Sequence, residues 1–224
     1  MKNLAEYLTY AKAHPEQFVN PPKGGFMILL GADDIHEVEA YMARKLEDKR
    51  LPAKWARVGI VYQDQYGMIL RDAVRFPGGA LGTYIRFIPS ANGTPSVIIL
   101  PMYQGQMLLI RRFRHATRTW HLEIPRGHGV KGLSGEENAR RELEEEIEAT
   151  VSRLISIGNL EEGPGLTGEP AELFFANVDS YGELNTFEGI TELLQVRVRE
   201  FEHMILENEI TDFFYYHRLS LCKA

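Results

Sequence analysis

The hydrophobic pattern of the chain changes at Trp55, and this change restricts the possible folds more than any other feature of the sequence. Beyond it, apolar and polar residues alternate with a period of two in short runs that are rich in β-branched and aromatic residues. These runs predict strands at 56–62, 68–76, 83–88, 96–103, 106–112 and 120–124, and later at 154–160, 173–178 and 193–198. A single strong helix, from about Glu136 to Glu148, interrupts them. Strands on both sides of one helix favour a mixed sheet with helices packed on its faces.

The first fifty residues are predicted to be helical instead. Apolar residues at helical spacing precede Pro15, which ends a first helix, and a second helix is expected at about 34–49. We therefore divide the chain into an N-terminal helical extension, residues 1–50, and a domain formed by residues 51–224. A last helical segment is predicted at about 200–222.

The composition excludes several classes of protein. Of the 224 residues, 44% are hydrophobic and 25% are charged, which excludes collagen-like, low-complexity and wholly disordered chains. The net charge of −6 argues against a nucleic-acid binder, since such binding needs a basic face. One cysteine, Cys222, excludes an internal disulfide and a zinc ribbon. Because the sequence shows neither a signal peptide nor an apolar run of about 18 residues, we expect a cytoplasmic protein without a membrane partner.

Glutamates are concentrated on one face of the predicted helix. Glu142, Glu145 and Glu146 are spaced three and four residues apart, so their side chains converge. Like charges this close repel each other by roughly 0.7 kcal/mol per pair in water and by about 3 kcal/mol at an effective dielectric of 20. In a cleft, such a cluster needs a counter-charge, and a hard divalent cation with oxygen ligands would supply it. A structural protein with a solvated, Glu-rich helix is the alternative.

A glycine-containing segment at 122–132 precedes this helix, and the two together resemble the Nudix box. That signature is Gly, five residues, Glu, seven residues, then Arg-Glu-apolar-x-Glu-Glu-x-Gly-apolar. The residues in register are Gly127, Arg141, Glu142, Leu143, Glu145 and Glu146. Two positions depart from the signature. Leu133 stands where the family has the Glu that usually supports the box arginine, and Glu148 stands where a glycine usually ends the helix.

The resemblance extends over about residues 55–222 to ADP-ribose and nucleotide-sugar pyrophosphatases. It implies an α/β fold, the Nudix α/β/α sandwich with a mixed sheet, preceded by antiparallel strands at 55–90 that pair two chains into a homodimer. It also implies a hydrolase dependent on Mg²⁺ or Mn²⁺ that cleaves ADP-ribose or another ADP-sugar to a nucleoside monophosphate and a sugar phosphate. A pyrophosphatase for a different nucleotide sugar is one alternative. A non-catalytic nucleotide-sugar sensor is another, which Leu133 and Glu148 favour.

The resemblance assigns roles to individual residues as well. Glu142 and Glu146 are expected to bind the metal, and Glu145 to act as a further ligand or a support beside the box arginine, Arg141. Glu123, on the strand before the box, is expected to touch the metal or the substrate.

Arg112 and Arg114 alternate along a predicted strand and therefore face the same side of it. The planar guanidinium group suits a phosphate, so both arginines are predicted to bind substrate together with the loop at Gly127. An outward-facing pair that forms salt bridges is the alternative.

The general base must lie outside the metal-binding helix face, where it can take a proton from the attacking water. Glu169 follows Pro164 and Gly165 in a glycine-rich loop that matches the base loop of the resembling family, and we predict this role for it. Glu172 and Glu161 are the rival candidates.

Overall fold

The computed structural model describes residues 2–90, 94–168 and 170–210. The helices in these ranges are α1 (Lys2–Ala13), α2 (Ala32–Asp48), α3 (Gly135–Ile147) and α4 (Val198–Leu206). The strands are β1 (Met27–Ile28), β2 (Gly59–Gln63), β3 (Gly67–Arg75), β4 (Leu81–Pro89), β5 (Ser96–Tyr103), β6 (Gln106–Arg114), β7 (Thr119–Glu123), β8 (Arg126–Gly127), β9 (Thr150–Glu161), β10 (Pro170–Ser180) and β11 (Ile190–Val196). None of the helices in the described ranges has the length and apolar character needed to cross a membrane.

The described chain divides into two compact units. One unit contains the residues up to 90 together with 163–168, and its antiparallel sheet places β3 between β4 and the strands β1 and β2. Helices α1 and α2 cover this sheet, because Tyr7 and Val38 share a buried core with Leu70 and Ala73. The predicted helices of the first fifty residues are confirmed, whereas the domain boundary at residue 50 stays a prediction.

The second unit contains the described residues of 91–162 and 169–224. Its seven-stranded sheet has the order β11-β6-β5-β10-β9, with β7 paired to β6 and β8 paired to β5. Strands β5 and β10 are parallel and the other pairs are antiparallel, so the sheet is mixed.

Successive residues of the central strands point to opposite faces of this sheet and pack on different helices. Val97 and Ile99 share a core with Leu143 of α3, while Ile98 shares another with Phe201 of α4. The predicted α/β/α sandwich with a mixed sheet is therefore confirmed. The predicted C-terminal helix begins at Val198, and the part of it beyond residue 210 lies outside the described residues, as does Cys222.

The turn at Gln104-Gly105 joins β5 to β6, but these strands pair only at Met102 with Met107 and at Tyr103 with Gln106. Beyond that point β8 pairs with β5 and β7 pairs with β6. The opening of the hairpin brings Glu123, at the end of β7, and Gly127, in β8, towards the middle of the sheet. Strand β8 has two residues, too few to show a period of two, and the sequence pattern did not predict it.

Candidate active site

Helix α3 is delimited by its own sequence. Ser134 caps the N-terminus, where its hydroxyl accepts the backbone N–H of Glu137 and the Glu137 carboxylate accepts the N–H of Ser134. At the other end Glu148 adopts the left-handed conformation, with φ of 48°. A residue other than glycine in this conformation is strained by roughly 1 kcal/mol. The helix thus ends where the family signature has its glycine, although the glycine is absent.

A loop segment is fastened to this helix end. The backbone N–H groups of Gly182 and Asn185 donate to the carbonyl oxygens of Ile147 and Glu146, both at 3.0 Å. The Glu148 carboxylate accepts the N–H of Glu183 at 3.1 Å. The side chain that causes the backbone strain therefore also satisfies a loop N–H.

A cavity of about 430 Å³ lies along α3 in the second unit. Its lining includes Arg112 and Arg114 from β6, Gly127 from β8, and Glu142 and Glu145 from α3. Gly127 lies close against the Glu142 side chain. A Cβ atom there would lie 1.8 Å from the carboxyl carbon of Glu142, which is inside any allowed contact. The glycine thus leaves the space that the Glu142 carboxylate occupies.

Glu146 is fully buried beside this cavity. Its Oε1 accepts a hydrogen bond from Nη1 of Arg112 at 2.6 Å, but its Oε2 has no hydrogen-bond partner among the described residues. Burial raises the pKa of Glu146 to about 8, even though Arg112 opposes the shift; the nearby carboxylates, Glu142 first among them, add to it. One oxygen of a buried carboxyl group is thus left without a hydrogen-bond partner among the described residues.

Arg141 holds the outer part of the carboxylate cluster. Its Nη1 donates to Glu145 at 2.5 Å, and its Nη2 donates to both Glu142 and the side-chain oxygen of Asn138. Burial raises the pKa of Glu142, while Arg141 lowers it and Glu145 and Glu188 add to the rise. Arg141 therefore partly neutralises Glu142, as Arg112 does Glu146.

Glu123 is buried at the end of β7 and binds two arginines. It accepts hydrogen bonds from Arg114 at 2.5 and 3.0 Å and from Arg126 at 3.2 Å. Both of its oxygens are engaged, so Glu123 orients two guanidinium groups at the cavity wall.

Comparison with known proteins identifies this arrangement. The NUDIX domain model matches residues 93–208, slightly more than half of the chain. The chain belongs to the Nudix family. The resemblance seen in the box residues is confirmed, and with it the assignment of the chain as a Nudix hydrolase.

Two relatives are similar over most of their own length. The ADP-ribose pyrophosphatase of Bacillus subtilis (strain 168) is 25% identical over 152 residues, which are 61% of this chain and 82% of that protein. A crystal structure of an ADP compounds hydrolase superimposes with a TM-score of 0.64 at 19% identity and covers 75% of this chain and 90% of its own. The second likeness shows a common fold.

The structure brings the two Nudix-box residues Glu142 and Glu146 together, and the charge of Glu123 also reaches Glu146. Within the described ranges, no three His, Cys, Asp or Glu side chains form a ready group of metal ligands. The pairings with arginine explain this, since each predicted ligand already has a guanidinium counter-charge. The Oε2 of Glu146, which has no hydrogen-bond partner among the described residues, and the neighbouring Glu142 carboxylate nevertheless fit a cation bound between them.

The predicted base, Glu169, lies outside the described residues. Of its rivals, Glu161 is exposed at the end of β9, and Glu172 of β10 lies against Gly135 at the start of α3. Neither lines the cavity.

Sequence reasoning missed two carboxylates that do line the cavity. Glu162 accepts the Ser96 hydroxyl at 2.9 Å, and Glu188 pairs with Nη2 of Arg112. Glu188 enters the cavity because β11 pairs with β6 in a register that sets Ile190 opposite Arg112. That register is a long-range property, and no motif around Glu188 reports it.

Proposed function

We propose that this Nudix hydrolase cleaves the diphosphate of a nucleoside diphosphate linked to another group, with ADP-ribose or another ADP-sugar as the favoured substrate and Mg²⁺ or Mn²⁺ as the cofactor. The main support is the buried Glu146, whose Oε2 has no hydrogen-bond partner among the described residues and which lies beside a cavity lined by Glu142 and several arginines. The likeness to an ADP-ribose pyrophosphatase supports the choice of substrate.

Glu142 and Glu146 would hold the cation, with Glu145 as a support through Arg141. A bound divalent ion supplies charge neutralisation on the diphosphate and lowers the pKa of the attacking water. In this proposal Glu123 acts through Arg114 and Arg126 rather than as a metal ligand, because both its oxygens accept hydrogen bonds from them.

Arg112 and Arg114 would bind the diphosphate from β6. Arg114 is held in place by buried Glu123, so its guanidinium group needs little ordering when the substrate binds. Arg112 already bridges Glu146 and Glu188, and it would exchange part of that contact for a phosphate oxygen. This exchange couples substrate binding to the charge on Glu146.

The general base remains Glu169 by the sequence argument, and Glu188 is the candidate that the described geometry favours. Glu188 lines the cavity, and its charge reaches Glu142 and Glu146. The base variant should lower kcat with little change in metal affinity. Glu169→Gln and Glu188→Gln, measured side by side with Glu144→Gln on the exposed side of α3 as the control, decide between the two.

A non-catalytic sensor is the second candidate, and one observation favours it. The buried box carboxylates and Glu123 already pair with arginines, so each has a counter-charge in the absence of a metal. Such a cavity would bind a nucleotide sugar and leave it intact. Binding without turnover would replace our proposal by this one.

The deciding experiment is a turnover screen over nucleoside diphosphate sugars with Mg²⁺ and with Mn²⁺, in which a phosphatase releases phosphate from the products. We expect ADP-ribose or another ADP-sugar to give the highest kcat/KM. A different nucleotide sugar as the best substrate would support the rival pyrophosphatase. No turnover with either metal would contradict the proposal.

We also propose that the protein is a cytoplasmic homodimer joined through residues 55–90. Apolar side chains on this ribbon are exposed in the single chain, among them Val61 and Tyr62 of β2 and Ile85 of β4. Exposed apolar strands are typical of surfaces that pair with a partner. Light scattering should give twice the chain mass of 25.5 kDa, and a mass near 25.5 kDa at micromolar concentration would refute the dimer.

A further inference from the structure

Asn138 is a fully buried amide in the middle of the Nudix box, at a position where the signature asks for no particular residue. Its Nδ2 donates to the carbonyl oxygen of His128 at 2.9 Å. Its Oδ1 accepts two hydrogen bonds from Arg141, from Nη2 at 2.8 Å and from Nε at 3.3 Å. One side chain thus joins the loop after β8 to the box arginine.

The orientation of this amide is fixed by its surroundings. Turned by 180°, the NH₂ group would face the guanidinium donors and the oxygen would face the His128 carbonyl, so both contacts would become repulsive. The placement also suits the spacing, because residues three apart on a helix are neighbours. Oδ1 must therefore point at Arg141.

Arg141 has a choice of partners that Asn138 restricts. Nη2 is shared between Asn138 and Glu142, whereas Nη1 is held by Glu145. Without the amide oxygen, the guanidinium group would turn more fully onto the Glu142 carboxylate. A cation would then have to displace a stronger ion pair from Glu142.

We propose that Asn138 is a positioning residue for Arg141 and takes over the support that Leu133 cannot give. An apolar side chain at 133 offers no acceptor, while a buried amide offers one at hydrogen-bond distance and brings no additional negative charge. The rival explanation is structural, namely that Asn138 matters only because it fastens the loop at His128. The two accounts differ in which atom of the amide is needed.

Two nearly isosteric variants separate them. Asn138→Asp keeps the oxygen that accepts from Arg141 and loses the donor to His128, whereas Asn138→Leu loses both. Arg140→Gln is the matched control, since Arg140 lies next to Arg141 but contacts Glu136 and the Val151 carbonyl instead. Thermal unfolding checks each variant, and Asn138→Ala replaces the Leu variant if that one does not fold.

The first measurement is the affinity for Mn²⁺ in the absence of substrate. Electron paramagnetic resonance gives it from the concentration of unbound Mn²⁺ in a titration. The second is kcat on the best substrate. We expect the Leu variant to lose about 10- to 100-fold in Mn²⁺ affinity or kcat, as is typical when a partner of a metal-site residue is removed. The Asp variant keeps an acceptor for Arg141 and should lose at least fivefold less than the Leu variant, and the control should be unchanged.

The inference is overturned if the Leu and Asp variants differ by less than fivefold in both measurements. Equal losses would show that Asn138 acts only by fastening the loop at His128. Two unaffected variants would show that Arg141 does not depend on Asn138 for its position. The inference rests on the proposed function for its second measurement only. If the natural protein hydrolyses nothing, the function fails, while the Mn²⁺ affinities still decide the role of Asn138.

Discussion

Each unit contains a buried carboxylate that pairs with an arginine, and the two carboxylates differ in how many hydrogen bonds they accept. Asp72 of β3 is 1% exposed and accepts three hydrogen bonds, from Tyr7 at 2.7 Å and from Arg86 at 2.6 and 3.1 Å. Glu146 of α3 is 0% exposed and accepts one, from Arg112, while its second oxygen has no partner among the described residues. The first carboxylate is fully satisfied and the second is not.

The difference is the one expected between a structural ion pair and the cation site proposed at Glu146. The Asp72 network joins α1 to the sheet, and its burial raises the pKa of the Tyr7 hydroxyl, so this phenol stays protonated and donates. A buried carboxylate with one oxygen that accepts no hydrogen bond lowers the stability of the fold. This loss is tolerated where a ligand later binds to that oxygen. The comparison makes four predictions, given below from the largest effect to the smallest.

The variant Glu146→Gln should break the site and leave the fold intact. The amide keeps the size of the side chain but removes the charge that would bind a cation, so we expect kcat to fall by about 10³-fold, equivalent to roughly 4 kcal/mol of barrier. Steady-state kinetics at saturating Mg²⁺ measures this. Glu144→Gln, on the exposed side of the same helix, is the control, and near-normal turnover of the Glu146 variant would remove that residue from the site.

The variant Asp72→Asn should do the reverse. It leaves Arg86 without its carboxylate in a half-buried environment, so the free energy of unfolding should drop by about 3 kcal/mol. Denaturant titration measures the loss, and the exposed pair of Arg111 with Glu192 supplies the control. Glu192→Gln should cost less than about 1 kcal/mol. Equal losses in both variants would contradict the contrast between the two networks.

Stability of the metal-free protein should fall as the pH rises from 5 to 8. Because burial raises the pKa of Glu146 from 4.5 to about 8, the folded state holds a proton that the unfolded state has lost in this range. The stabilisation is therefore complete below the unfolded pKa and is progressively lost as the pH rises towards 8. Thermal unfolding in a chelator should show this decline, and Glu146→Gln should flatten it. A decline of the same slope in the variant would assign it to other groups.

The smallest effect is expected for Leu133→Glu. It restores the signature carboxylate, yet Arg141 already has acceptors in Asn138 and Glu145, much as Arg86 has them in Asp72 and the Gln17 carbonyl. We expect kcat to change by less than about tenfold, which is 1.36 kcal/mol of barrier. If the natural protein is inactive and this variant hydrolyses a nucleotide sugar, the sensor function applies instead.

The parts of the molecule that could be predicted are those that depend on nearby residues. Helix α3 and the convergence of Glu142 with Glu146 follow from a period of 3.6, and the expected bounds, 136–148, agree with Gly135–Ile147. Asn138 was within reach of the same argument, since it precedes Arg141 by three residues. The ion pairs that the box residues form with distant parts of the chain could not be predicted in this way.

The pairs between Arg112 and Glu146 and between Arg112 and Glu188 join residues 34 and 76 positions apart. They depend on how β6 lies against α3 and on the register of β11, which side-chain periodicity does not encode. The pair of Glu123 with Arg114 depends in the same way on the pairing of β6 with β7. For this reason the sequence pointed to these carboxylates as candidate metal ligands but did not predict that arginines pair with them.

The end of helix α3 has a consequence for how this chain tolerates change. Three hydrogen bonds, one of them to the Glu148 side chain, hold residues 182–185 against the last turn of α3. The same loop continues to Glu188 in the cavity. An insertion or deletion between 181 and 187 would therefore displace the backbone of Glu146. Changes in the length of this loop, which most protein surfaces tolerate, would therefore alter the position of the proposed metal ligand.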